Sequence, residues 1–154
     1  MTASHEMFHV YQGQRLRSCS CPGRFYAKMP RWFLEGTADF AGYTVTFGET
    51  PEVLAGLKKK YGASGRGGKL DIGFEKMDEV LFRPYTSDIP VQYIYDRSFM
   101  AVAYLVELTS VETVMGEMFD RTVAAGNFDS AFQQTFGMTE KEFEAKFSAW
   151  IATQ

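Results

Sequence analysis

The chain is poor in the residues that most often carry chemistry. Only two histidines and two cysteines occur in 154 residues. Cys19 and Cys21 form a C-x-C pair without the two-residue spacing of a thioredoxin site or a zinc knuckle. They read as loop thiols, or as a loop disulfide in an exported protein. No run of eighteen apolar residues is present, so no membrane-spanning helix is expected. Basic residues number 16 against 19 acidic ones, for a net charge of −3. They form no stripe, which argues against a nucleic-acid partner. The glycine-rich stretch 62–68 lacks the G-x-x-x-x-G-K-[ST] pattern, because Lys69 is followed by Leu70, so it is not a phosphate loop. No convincing strand run and no internal repeat are found.

What is present is a globular composition, 45% apolar and 16% aromatic, in a length that suits one domain spanning 1–154. The pattern predicts a mainly α chain. Helices are expected at 2–14, 31–43, 51–61, 75–82, about 93–108, 111–125, 127–136 and from 139 onward. Pro30 is expected in the first turn of the second helix. Thr50-Pro51-Glu52 supplies a cap and first turn for the third, and Thr139 with Glu142 fits a capping box for the last. Stretches 15–29, 62–69 and 83–91 are expected to be irregular.

Both histidines fall in one motif, His5-Glu6-Met7-Phe8-His9, which reads H-E-x-x-H. On a helix, positions i and i+4 lie one above the other, so both imidazoles can converge on one Zn²⁺. Glu6 is off that line, poorly placed as a ligand and well placed to take a proton from a metal-polarised water. Met7, Phe8, Val10 and Tyr11 suggest a helix buried on most sides. A catalytic zinc needs a third protein ligand. With no histidine left, that ligand must be a carboxylate or a cysteine, and Glu35 in Trp32-Phe33-Leu34-Glu35-Gly36-Thr37-Ala38-Asp39 is the candidate. Two neutral imidazoles and one carboxylate leave the site at +1, which keeps the metal Lewis-acidic.

H-E-x-x-H followed by W-x-x-E-G-x-A resembles the gluzincin metallopeptidases, in particular the peptidase MA-like domains and the related M1 aminopeptidases. The resemblance implies that Glu35 is the third zinc ligand and that Asp39, one turn later, supports a ligating histidine. The segment Tyr95-Asp96-Arg97-Ser98-Phe99-Met100-Ala101 is similar to the tyrosine-plus-helix segment of that group, which implies that Tyr95 donates to the oxyanion. Tyr93 is the reserve for that role. The closing stretch, with Phe128, Phe132, Phe136 and Trp150, also resembles the last helices of such domains. The implied fold is the helical half of a zincin-like catalytic domain, whose β-sheet lies upstream of the zinc helix. Met1-Thr2-Ala3-Ser4 leads straight into the motif, so the chain reads as truncated at its N-terminus and an export signal could lie upstream.

The expected function is hydrolysis of a peptide or protein substrate, with Glu6 as general base. The alternatives are a structural zinc site, closed by a fourth protein ligand such as Cys19 or Cys21, a non-catalytic zinc-binding module that has kept its ligands, and an inactive fragment of a metallopeptidase.

Overall fold

The computed structural model describes residues 3–17, 29–48, 50–61, 72–83 and 87–154. Every regular element among them is helical: α1 (Ala3–Leu16), α2 (Arg31–Phe47), α3 (Pro51–Tyr61), α4 (Phe74–Phe82), α5 (Val91–Leu108), a π-helical turn (Thr113–Glu117), α6 (Met118–Ala125), α7 (Phe128–Phe136) and α8 (Glu140–Ile151). Cys19, Cys21 and the glycine-rich 62–68 stretch lie outside the described residues. No single described helix is long and apolar enough to cross a membrane.

The α2 helix is the axis of the fold. It packs against α1 on one side and α5 on another, with α4 alongside. Ten of its residues are buried, among them Trp32, Phe33, Leu34, Ala38 and Phe40. A helix apolar on nearly all sides needs neighbours on all of them. Its first turns anchor an aromatic core. The Trp32 ring stacks on Phe74 at 4.1 Å and also meets Phe33, Phe128 and Phe143.

The start of α2 is capped from another helix. Pro30 is the N-cap, one position before the expected first turn, and no side chain of its own segment caps the helix. Its carbonyl accepts from the Phe33 and Leu34 amides. Pro30 has no hydroxyl or carboxylate to offer, so Asp78 of α4 accepts the free Trp32 amide at 2.8 Å. Such orphan N–H groups attract carboxylates. Glu140 at the start of α8 completes the grip by accepting from the Trp32 indole at 2.6 Å.

Glu140 has a price at neutral pH. Burial pushes its carboxyl from 4.5 up to about 7; the indole bond opposes this, and Asp78, Asp129 and Glu144 add repulsion. The folded chain therefore keeps a proton that the unfolded chain releases, so stability falls as pH rises from about 4.5 to 7. Glu140→Gln retains an acceptor for the indole and cannot ionise. The variant is expected to match wild type below pH 4.5 and to exceed it by on the order of 2–3 kcal/mol at pH 8. Thermal melts of both chains across that range check the sign and the window.

A tight helix approach lies beside the motif residues. A Cβ on Gly36 would sit 2.4 Å from the Ser98 carbonyl oxygen and 2.8 Å from Val102 Cγ2. Only glycine lets α2 and α5 come this near. Backbone cannot swing aside as a side chain can, so Gly36→Ala must push the two helices apart. Overpacking of this kind costs about 1–3 kcal/mol, and the ~1 kcal/mol that alanine gains in helix propensity offsets it in part. The melting temperature is expected to drop by about 2–4 °C; an unchanged or higher value would mean that the approach is not tight.

Three expectations are corrected. Met7 and Val10 are 69% and 58% exposed, so α1 is not buried on most sides. It packs mainly on α2 and α6, and Ala3, Glu6, Met7, Val10 and Gln14 form its exposed face. Residues 111–125 are not one continuous α-helix, because the π-helical turn interrupts them. Its Met115 carbonyl accepts from the Tyr11 hydroxyl at 3.1 Å, and Arg15 pairs with Asp120 of α6, so both contacts fasten α1. Finally, α5 begins at Val91 rather than near Tyr93. The capping box of α8 is formed as expected, with both Thr139 and Glu142 contacts in place.

Candidate metal centre

His5 and His9 sit one turn apart on α1 and point their Nε2 atoms at the same spot, 3.0 Å from each other. Glu35 arrives from α2 with Oε2 at 3.6 Å from His5 Nε2 and 3.3 Å from His9 Nε2. The three atoms therefore form a small, nearly equilateral triangle. For a tetrahedral ion with bonds of about 2.0–2.1 Å, ligand atoms lie about 3.3 Å apart. The observed edges bracket that length, and His5, His9 and Glu35 are the group that could hold a metal ion among the described residues.

The outward nitrogens decide what the triangle can accept. His5 Nδ1 lies 2.8 Å from Asp39 Oδ1. An ionised carboxylate only accepts, so this nitrogen carries the proton. His9 Nδ1 lies 2.7 Å from Gln12 Oε1. The Gln12 amide is oriented by its other end, which donates to the Leu34 carbonyl and to Thr37 Oγ1, each at 2.9 Å. Its oxygen must then face His9, and His9 Nδ1 is also protonated. Both Nε2 atoms thus present lone pairs to each other and to a carboxylate oxygen. Three lone pairs at this range need a cation or protons between them.

Proton affinity reflects the same arrangement. Burial works against a charged His5, yet hydrogen bonds and charge from Asp39 and Glu35 outweigh it and raise its pKa to about 9. His9 is raised as well, chiefly by its hydrogen bond to Glu35. Burial would raise Glu35, but the two histidines hold it at about 2. Without metal, His5 carries an extra proton at pH 7 that a metal must displace. Zinc affinity is therefore expected to rise about tenfold per pH unit between pH 7 and 9, then level off. Titrations in buffers of different ionisation enthalpy should detect the released proton, and a pH-independent affinity would rule out His5 as a ligand.

Burial differs around the triangle. His5 is 1% exposed, whereas the side chains of His9, Glu35 and Asp39 are 22%, 15% and 19% exposed. The centre is thus buried at His5 and partly exposed at His9, Glu35 and Asp39. Glu6 is exposed on the adjacent face of α1.

Tyr95 is half-buried on α5. Burial first, and then the charges of Glu35, Asp39 and Glu6, raise its phenol to about 12, with Arg31 opposing. The phenol therefore lies within electrostatic reach of the carboxylates and stays a neutral donor near pH 7. Helix geometry explains its placement: Tyr95, Ser98 and Val102 share the face that meets Gly36. Tyr93 lies about 200° around the helix from Tyr95, which favours Tyr95 over the reserve.

All four of His5, His9, Glu35 and Asp39 meet as the sequence predicts. Gln12 is the participant that the sequence reading passes over. Its signal is spacing, since it lies three residues after His9 and seven after His5, on the line that faces α2. Comparison of the chain with protein-family models, with curated proteins and with solved structures gives no match.

Proposed function

We propose that this chain is a zinc-dependent metallopeptidase of gluzincin type, with the ion held by His5, His9 and Glu35. The observation that carries this reading is the triangle of three ligand atoms, 3.0–3.6 Å apart, with both histidine tautomers set by hydrogen bonds to Asp39 and Gln12. A bound zinc supplies Lewis acidity, which polarises a carbonyl and lowers the pKa of water.

The chain's own residues do the rest. Glu6, at the exposed edge of α1, accepts a proton from the attacking water and later delivers it to the leaving amine. Tyr95 keeps its O–H and donates it to the carbonyl oxygen as negative charge develops there. Asp39 holds His5 in one tautomer and raises its basicity as a ligand. A peptide carbonyl would enter on the partly exposed side of the centre, away from buried His5.

The test is direct. The full chain, loaded with one equivalent of zinc, is incubated with unstructured peptides, and new amino termini are counted. Cleavage that stops on chelation and returns with zinc supports the proposal. One-to-one zinc binding without cleavage would favour a binding module or an inactive fragment.

A further inference from the structure

The two ligating histidines are supported in chemically different ways. His5 leans on a charged carboxylate that is partly open to solvent, Asp39 at 2.8 Å. His9 leans on a neutral amide with no exposed surface at all, Gln12 at 2.7 Å. Gln12 also does what Asp39 does not: it belongs to the same helix as the histidine it supports and reaches across to the other ligand helix. Its amide nitrogen donates to the carbonyl of Leu34, the residue immediately before Glu35, and to the hydroxyl of Thr37, two residues after it. Thr37 is free to accept because its own proton goes to the Phe33 carbonyl at 2.7 Å. Every hydrogen-bonding group of the amide is therefore used, inside the core, with a fixed direction.

Resting on the metallopeptidase reading above, we infer that Gln12 is a positioning residue that makes metal competence of His9 depend on the docking of α2. Two alternatives for His9 follow from the chemistry of imidazole. With Gln12 in place, Nδ1 holds the proton and Nε2 offers its lone pair to a metal. Without a buried acceptor behind it, the ring can carry its proton on Nε2 and donate it to Glu35, which consumes one lone pair at each of two ligands. Gln12 suppresses that alternative, but only when α2 is seated. If α2 withdraws, the amide loses the Leu34 and Thr37 acceptors that aim its oxygen at His9. The neutrality of Gln12 matters too. A second carboxylate behind the site would add negative charge to that of Glu35 and Asp39 and reduce the Lewis acidity of a bound cation.

The experiment uses the full chain, labelled with nitrogen-15 and loaded with zinc. Wild type is expected to show two slowly exchanging imidazole Nδ1–H signals, one from His5 and one from His9. In Gln12→Leu the His9 signal is expected to vanish into exchange with water while the His5 signal persists. Zinc affinity should fall about 10–100-fold, the usual effect of losing such a partner. Should Gln12→Leu fail to fold, Thr37→Val removes one of the two acceptors that orient the amide. It should speed exchange of the His9 proton several-fold without touching that of His5. A His9 signal and an affinity unchanged in these variants would overturn the inference and leave the metal site standing. Absence of zinc binding in wild type would instead remove the reading beneath it.

Discussion

Glu6→Gln is expected to leave zinc bound and to slow peptide hydrolysis by about 10²–10⁴-fold, the range that a positioned general base supplies. The two effects separate because Glu6 is not part of the ligand triangle. Its carboxylate is exposed on α1, while His5, His9 and Glu35 supply the three convergent atoms. Glutamine preserves shape and helix propensity but cannot accept a proton from water. Zinc affinity and melting temperature should therefore stay near wild type while turnover collapses. Hydrolysis at the parental rate would show that Glu6 is not the base. A parallel loss of zinc would show that the side chain bends into the triangle.

Glu35→Gln should do the reverse and remove the metal first. The carboxylate is the only anionic member of the triangle, and the two histidines hold its pKa at about 2. An amide oxygen is a poor zinc ligand, and the change also removes one negative charge beside the cation. Structural zinc sites bind with about 10–16 kcal/mol in total, so one ligand's share is roughly 4 kcal/mol, a loss of about 10³-fold in affinity. The variant has a second signature without metal. Since its folded pKa is depressed, Glu35 contributes stability above about pH 4.5 that is lost as pH falls toward 2. Glu35→Gln should therefore melt earlier than wild type at pH 7, and the gap should narrow in acid. Isothermal titration and thermal melts read the two effects independently. Retained affinity would exclude Glu35 as a ligand.

Local signals carried most of what could be read from the sequence. Thr50-Pro51 marked the start of α3, and the Thr139–Glu142 box marked the start of α8, because caps act within one turn. The spacing of His5 and His9 is likewise a one-turn relation, and Glu35 needed only a second helix laid beside the first. Relations between distant segments were less legible. Nothing in the sequence near Pro30 announces that Asp78 and Glu140, from two other helices, will grip Trp32. Apolar residues at 7, 8, 10 and 11 indicated burial, yet periodicity reports which residues share a face and not what covers it, so Met7 and Val10 proved exposed. The π-helical turn at Thr113–Glu117 has no one-residue marker, and its Met115 carbonyl meets Tyr11 from more than a hundred residues away. Gln12 was legible in spacing alone, but its meaning depends on which atoms of Leu34 and Thr37 stand opposite. Gly36 was visible as part of a motif, whereas the reason for it, the Ser98 carbonyl pressed against α2, belongs to the packing.

The central claim is that one zinc ion sits among His5, His9 and Glu35. X-ray absorption at the zinc edge, recorded on the full chain with one equivalent of metal, tests it most directly. The predicted spectrum fits two imidazole nitrogens and oxygen neighbours at about 2.0–2.2 Å, with no sulfur. A sulfur shell at about 2.3 Å, from Cys19 or Cys21, or a fit with fewer than two imidazoles, would contradict it.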